Sequence, residues 1–233
     1  MALALDITKT EGKYIKTTEV EFKPKTGEYR YYDKDAGEEI VTDSFEGVVV
    51  GTGFQFRGNI GNPTKKKSIN YLSDDFDMDT LKNGLIGVRE FVRENGNLSN
   101  RPMGRKTYQE WKETGLKVHR TVYVIKEENP DVIYKLCFSA VASIDVGKAM
   151  TPDIPNFVTE FAVSDNMFET DNGEFYVPKV TRKDAIKPES EAKVGDWLVR
   201  VKESMKPGQS DKPAQAAASA KTEEIDLLKD VPF

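Results

Sequence analysis

The chain has 233 residues, with 34 Lys and Arg against 39 Asp and Glu, a net of −5 with its single His neutral, and this length fits one domain of roughly 100–200 residues with appendages. A 38% apolar content builds a core and excludes a wholly disordered chain, while one Cys (Cys137) and one His (His119) exclude an internal disulfide and a four-ligand zinc site of nitrogen and sulfur donors. No apolar run reaches the about 18 residues of a membrane span, and Met1-Ala-Leu-Ala-Leu-Asp6 lacks the length and basic start of a signal peptide, so the expectation is a soluble protein of a reducing cytoplasm, with no cofactor.

Taken in chain order, the body reads mainly as strands. Val20 and Phe22 are apolar at period two. Phe45–Arg57 is a long β stretch in which Val48, Val50, Thr52, Phe54 and Phe56 share a face, and Gly51 and Gly53 point to a bulge or a barrel corner. Leu81, Leu85, Val88 and Val92 follow helical spacing, weakened by Gly84 and Gly87. Lys106–Thr114 reads as a short helix. Gly115–Glu127 and Asp131–Ser139 form a hairpin across Glu128-Asn-Pro130, with Val132, Tyr134, Leu136 and Phe138 on one face. Asn156–Ser164 and Glu174–Thr181 form a second, joined across Asp171-Asn-Gly173. Val194, Trp197, Leu198, Val201 and Met205 mark one face of a last helix. Many strands with scattered helices fit a small barrel with inserted short helices and loops better than an alternating βαβ sheet.

Composition breaks near residue 206. Residues 206–222, KPGQSDKPAQAAASAKT, contain no aromatic and no branched aliphatic side chain, so they cannot bury enough surface to offset their ordering entropy and read as a flexible linker. Thr222–Phe233 then carries four acids and one Lys, a net of −3. The expected organisation is a body at 1–205, a linker at 206–222 and an acidic tip at 223–233.

Several chemical motifs fail their own requirements. Asp75-Phe-Asp77-Met-Asp79 opens like a calcium loop, but Thr80 stands where that loop needs Gly and Ile86 where it needs a bidentate Glu; these acids read instead as flanking a helix start, with Asp79 as N-cap. Gly51, Gly53, Gly58 and Gly61 match neither a dinucleotide fingerprint nor a P-loop. His119 has no nucleophile elbow to serve and reads as exposed and noncatalytic. Cys137 reads as a small packed side chain.

Two segments are basic against the acidic average. Arg57–Ser73 carries Arg57, Lys65, Lys66 and Lys67 and no acid, a net of +4. Arg101–Arg120 carries Arg101, Arg105, Lys106, Lys112, Lys117 and Arg120 against Glu110 and Glu113, again +4, with Tyr108, Trp111 and His119 among them. Single-strand binding needs this mixture: cations track phosphates, and flat rings stack on unpaired bases for about 1–3 kcal/mol each. The candidate single-stranded-DNA contacts are Arg57, Lys65, Lys66, Lys67, Arg101, Arg105, Lys106, Tyr108, Trp111, Lys117 and Arg120. Phe54 and Phe56 read as core by their periodicity; Tyr108 and Trp111, three apart on a short helix, fit either a core or a stacking role.

The tip ends Lys229-Asp230-Val231-Pro232-Phe233. Physically this is a ligand: the ring fills an apolar pocket, its α-carboxylate meets a cation beside that pocket, and the acids steer it to basic surfaces. Asp226, Asp230, Val231, Pro232 and Phe233 are the candidate partner contacts. In this organisation the chain resembles the single-stranded DNA-binding proteins of bacteria and bacteriophages, which have an oligonucleotide-binding barrel, a low-complexity linker and an acidic tail ending in Phe. Their bacterial tail reads Asp-Asp-Asp-Ile-Pro-Phe; here Leu228-Lys-Asp-Val-Pro-Phe233 keeps Asp230, Pro232 and Phe233, with Val231 a conservative change and Leu228 and Lys229 as departures. The resemblance implies a nonenzymatic phage-type protein that coats single-stranded DNA in replication or recombination, and recruits a polymerase, primase, helicase or nuclease through its tail. The alternatives are a metal-dependent nuclease using Asp74, Asp75, Asp77 and Asp79, and an adaptor or virion protein that only docks a partner.

Overall fold

A computed structural model describes residues 16–33, 36–58, 67–94, 97–165, 167–170 and 173–204. The linker at 206–222, the tip at 223–233, Met205, Lys65 and Lys66 lie outside the described residues. Within 1–205 the chain divides into two compact units, one of Met1–Phe54 with His119–Ser204, the other built on Gln55–Val118. Both are mainly β.

In the first unit β1 (Lys16–Lys23), β2 (Glu28–Asp33) and β3 (Glu38–Thr42) form an antiparallel meander. Strand β1 also pairs in parallel with β9 (Asn129–Ser139), Val20 opposite Leu136. The hairpin expected across Glu128-Asn-Pro130 is present as β8 (Lys117–Lys126) with β9. The long strand β4 (Ser44–Gly58) lies beside β8 and also pairs with β10 (Phe157–Val163), which pairs with β13 (Pro178–Ala185). Among the described residues no ladder closes these strands into a barrel. The second hairpin differs from its sequence reading. Its return strand starts at Pro178 rather than Glu174, because β11 (Phe168–Thr170) and β12 (Gly173–Phe175) form a small hairpin of their own first.

The core of this unit joins Val20, Phe22, Tyr29, Phe45, Val122, Tyr134, Leu136, Phe138 and Phe161 with Ala142 and Val146 of helix α3 (Ala140–Ala149). Ile133, Lys135 and Cys137 are buried as well, so both faces of β9 are covered. The face read from sequence, Val132, Tyr134, Leu136 and Phe138, is buried as expected, and the opposite face is covered as well, as in a strand packed on both sides. Strand β4 shows the same, with Val48, Val49 and Val50 all at 2% exposure or less. Gly51 lies within β4. A Cβ there would stand 2.6 Å from Val201 Cγ1 on the last helix, α4 (Pro188–Ser204), so the glycine admits the close approach of that helix. Trp197 and Val201 are buried on α4, as their spacing predicts.

In the second unit the end of β4 pairs with β5 (Lys67–Ser73), β5 with β6 (Ile86–Glu94), and β6 with β7 (Asn97–Lys106), all antiparallel. The helix read from Leu81 to Val92 is corrected: α1 (Met78–Asn83) is one short piece, and the rest is β6. Gly84 ends α1 in extended backbone, its N–H on Thr80 O, and the β-branched Ile86, Val88 and Val92 then alternate along a strand. The N-cap is Asp77 rather than Asp79; its Oδ1 accepts from Thr80 N at 2.8 Å, which holds its carboxyl below the usual range. Helix α2 (Tyr108–Glu113) forms where expected. Six residues are too few to be stable alone. A capping box between Thr107 and Glu110 secures one end, and Trp111 anchors the helix in the core, its Nε1 donating to Ile86 O at 2.7 Å.

Candidate nucleic-acid interface

Directly opposed residues of an antiparallel ladder share a face, and successive residues alternate. The ladders of the second unit therefore sort its side chains into two sets. One set holds Phe56, Tyr71, Ile86 and Val88, all buried, with Phe76 and Tyr108 at 5.8 Å ring distances from Phe56. This is the core side.

The other set reads in rows across the strands. Arg57 opposes Leu72, Leu72 opposes Arg89, and Arg89 opposes Pro102. Next comes Asn70, Phe91 and Asn100, then Arg93. Rows two residues apart lie about 6.7 Å from each other. At the other end Arg105 opposes Gly87. Arg105 reaches this side only because β7 carries one extra residue between Pro102 and Arg105, with Gly104 at φ +89°. Without that bulge Arg105 would share the face of Arg101. Among the described residues this face carries Arg57, Arg89, Arg93 and Arg105 and no acid. Arg57, Arg89, Phe91 and Arg93 are half-buried, and Arg105 is exposed. Arg57 Nε donates to Gln55 Oε1 at 2.6 Å, and Gln55 Nε2 donates to Ser73 O at 2.8 Å, which fixes that arginine at the edge of the row.

The candidates read from sequence separate on this frame. Arg57 and Arg105 belong to the cationic face. Arg101 stands on the other side, ion-paired through Nε to Glu90, a carboxylate only 5% exposed that also accepts from Tyr71 Oη at 2.8 Å. Burial, and then that bond to Glu90, pushes the Tyr71 phenol up. Lys106 opposes Ile86 on the core side, its Nζ 4.9 Å from the Trp111 ring centroid. Trp111 is 2% exposed and so presents no face for stacking, while Tyr108 is half-buried on Phe56. Lys117 is exposed at the start of β8. Lys67 lies in β5, with its side chain outside the described set. Arg120 belongs to the first unit: its guanidinium lies 4.9 Å from the Phe54 ring and its Nε donates to Ser143 O at 3.0 Å. Burial lowers its pKa. Phe54 and Phe56 are core residues, as their periodicity predicts, and Cys137 is buried. His119 is half-buried rather than exposed. Asp226, Asp230, Val231, Pro232 and Phe233 lie outside the described residues.

Arg89, Phe91 and Arg93 were missed by the sequence reading, because helical spacing was assigned to their segment. The signal was present: Arg89, Phe91 and Arg93 alternate with Val88, Glu90 and Val92, and Asn95-Gly96 follows, a strong hairpin dipeptide. Residues 55–118 hold twelve Lys and Arg against eight Asp and Glu, a net of +4, which leaves −9 for the rest of a chain whose total is −5. Of the four candidate nuclease acids, Asp77 caps α1 and Asp79 accepts from Asn83 Nδ2 at 3.2 Å; among the described residues no three His, Cys, Asp or Glu converge as a metal-ligating group. No helix among the described residues is long and apolar enough to cross a membrane. No family model, no curated protein and no solved structure matches this chain.

Proposed function

We propose that this chain is a phage-type single-stranded DNA-binding protein that coats DNA during replication or recombination in the host cytoplasm, and that recruits a polymerase, primase, helicase or nuclease through Asp226, Asp230, Val231, Pro232 and Phe233. It acts by binding, not by catalysis. The observation that carries the reading is the sheet face on which Arg89 and Arg93 flank Phe91 and Arg57 and Arg105 lie on the same side, with no acid among the described residues of these ladders. Guanidinium groups take phosphate oxygens in a bidentate fork, and a ring between them stacks on any base, since every base has a π face. The strand lies across the rows, its phosphates on the arginines and one base on the ring. The oligonucleotide-binding barrel that the tail implies belongs to this reading, although binding itself requires only one open cationic face. In this reading the acidic tip at 223–233, joined to the body through the 17 residues 206–222, supplies the partner contacts.

The test is a salt titration of binding to oligo-dT and to a duplex of equal length. The reading expects strong preference for the single strand and a steep salt dependence. Equal weak affinity for both, or none, refutes it, and magnesium-dependent loss of a labelled oligonucleotide would replace it with the nuclease alternative.

A further inference from the structure

We propose that Gln55 is a positioning residue for nucleic-acid binding: it holds the guanidinium of Arg57 in place before a strand arrives, so that Arg57 adds more affinity than its charge alone supplies. The inference rests on the nucleic-acid reading of the same face. It starts from an amide where the core calls for an apolar side chain. Gln55 is 4% exposed and stands between Phe54 and Phe56, both buried. A polar side chain in such a place is tolerated when its donors and acceptors are bonded, so its partners show its role.

Those partners are the arginine and the neighbouring strand. Arg57, two residues on and therefore on the same side of β4, donates from Nε to Gln55 Oε1 at 2.6 Å, and Gln55 Nε2 donates to Ser73 O at 2.8 Å. Only one orientation of the amide satisfies both. Turned over, it would set donor against donor at Arg57 and acceptor against acceptor at Ser73. Ser73, 3% exposed, is fixed in its turn: its Oγ accepts from Phe56 N at 2.8 Å and donates to Asp74 O at 2.8 Å. These bonds lie just beyond the point where Arg57 pairs with Leu72 on β5. A bond at Nε fixes the plane of the guanidinium, and that plane decides where its fork meets a phosphate. An arginine that is loose in the unbound protein loses side-chain freedom on binding, which weakens association. At Arg57 that freedom is already lost on folding.

The experiment is a double-mutant cycle on the full chain, read by anisotropy of labelled oligo-dT across a salt series. Gln55→Met keeps the length of the side chain and removes both hydrogen bonds. It is expected to weaken binding about fivefold at every salt concentration, the effect of leaving one long side chain to be ordered on binding. The slope of log K against log salt should not move, because the charge at position 57 remains. Arg57→Gln, by contrast, takes about 0.7 from that slope. Added to Arg57→Gln, Gln55→Met should cause no further loss; added to Arg105→Gln, at the other end of the face, it should still cost about fivefold. Wild-type affinity in Gln55→Met, or a loss that is the same with and without Arg57, overturns the inference and leaves the binding face intact. Should Gln55→Met not fold, hydrogen exchange at the arginine Nε–H groups of the DNA-free wild type decides the matter. Arg57 is expected to exchange about tenfold more slowly than Arg105, the value of one hydrogen bond, and equal rates overturn the inference. Failure of the wild type to bind oligo-dT overturns the parent reading, and this inference with it.

Discussion

The cationic face can be measured through its salt dependence. Each phosphate that a cation neutralises on a single strand contributes about −0.7 to the slope of log K against log salt. Arg57, Arg89, Arg93 and Arg105 together therefore account for about −2.8 by that rule. Between 50 and 200 mM salt this corresponds to roughly a 50-fold loss of affinity. Arg89 and Arg93 lie four residues apart on β6, on either side of Phe91. In the double variant Arg89→Gln/Arg93→Gln two phosphates lose their partner, and the four-arginine share falls to about −1.4, roughly sevenfold over the same interval. Cations elsewhere in the chain add equally to both proteins, so the difference of about 1.4 is the quantity to read. Glutamine keeps part of the stem and its packing, and the thermal transition of the variant verifies the fold. The assay is anisotropy of a labelled oligo-dT across a salt series, with Lys112→Gln, exposed on α2, as a control that leaves the slope unchanged. A double variant whose slope stays within about 0.5 of the wild type would refute the assignment of this face.

Other consequences follow from the packing. Gly51→Ala places a Cβ 2.6 Å from Val201 Cγ1 and should cost about 1–3 kcal/mol in chemical denaturation; Val201→Ala in the same chain should recover part of that loss, and strict additivity would contradict the close-approach role of the glycine. Trp111→Phe strands Ile86 O, whose indole donor is 2.7 Å away, and should cost about 1–3 kcal/mol without moving the salt slope, because the indole faces the core. Asp77→Ala removes the cap of α1 and should cost about 1 kcal/mol. Because the folded carboxyl of Asp77 is held below its ordinary value of 3.8, mainly by bonds from Thr80, that stabilisation is fully present above the ordinary value and is lost as pH falls from there through the lowered folded value. The stabilities of wild type and Asp77→Ala, measured against pH, should therefore converge in acid; a gap that stays constant down to low pH would rule out the charged cap.

The sequence by itself determined the β character of the body, the β8–β9 hairpin, helices α2 and α4, and the core placement of Phe54 and Phe56. Each of these rests on local pattern: period-two or helical spacing, or a turn with Asn and Pro. It also showed that positive charge concentrates in 55–118, within the chain's acidic total. It missed β6 because Leu81, Leu85, Val88 and Val92 imitate a helix, and spacing alone does not separate that pattern from a short helix followed by a strand. Tertiary structure alone decided which cations act together. Arg89 and Arg93 join Arg57 through the β4–β5–β6 register, and Arg105 joins them through one extra residue at Gly104. Arg101 is drawn to Glu90, and Trp111 to the core, despite lying in the same basic segment. A shift of one residue moves a side chain to the opposite face of a sheet, and such registers are set by partners distant in sequence, so the composition of a segment cannot say which way its charges point.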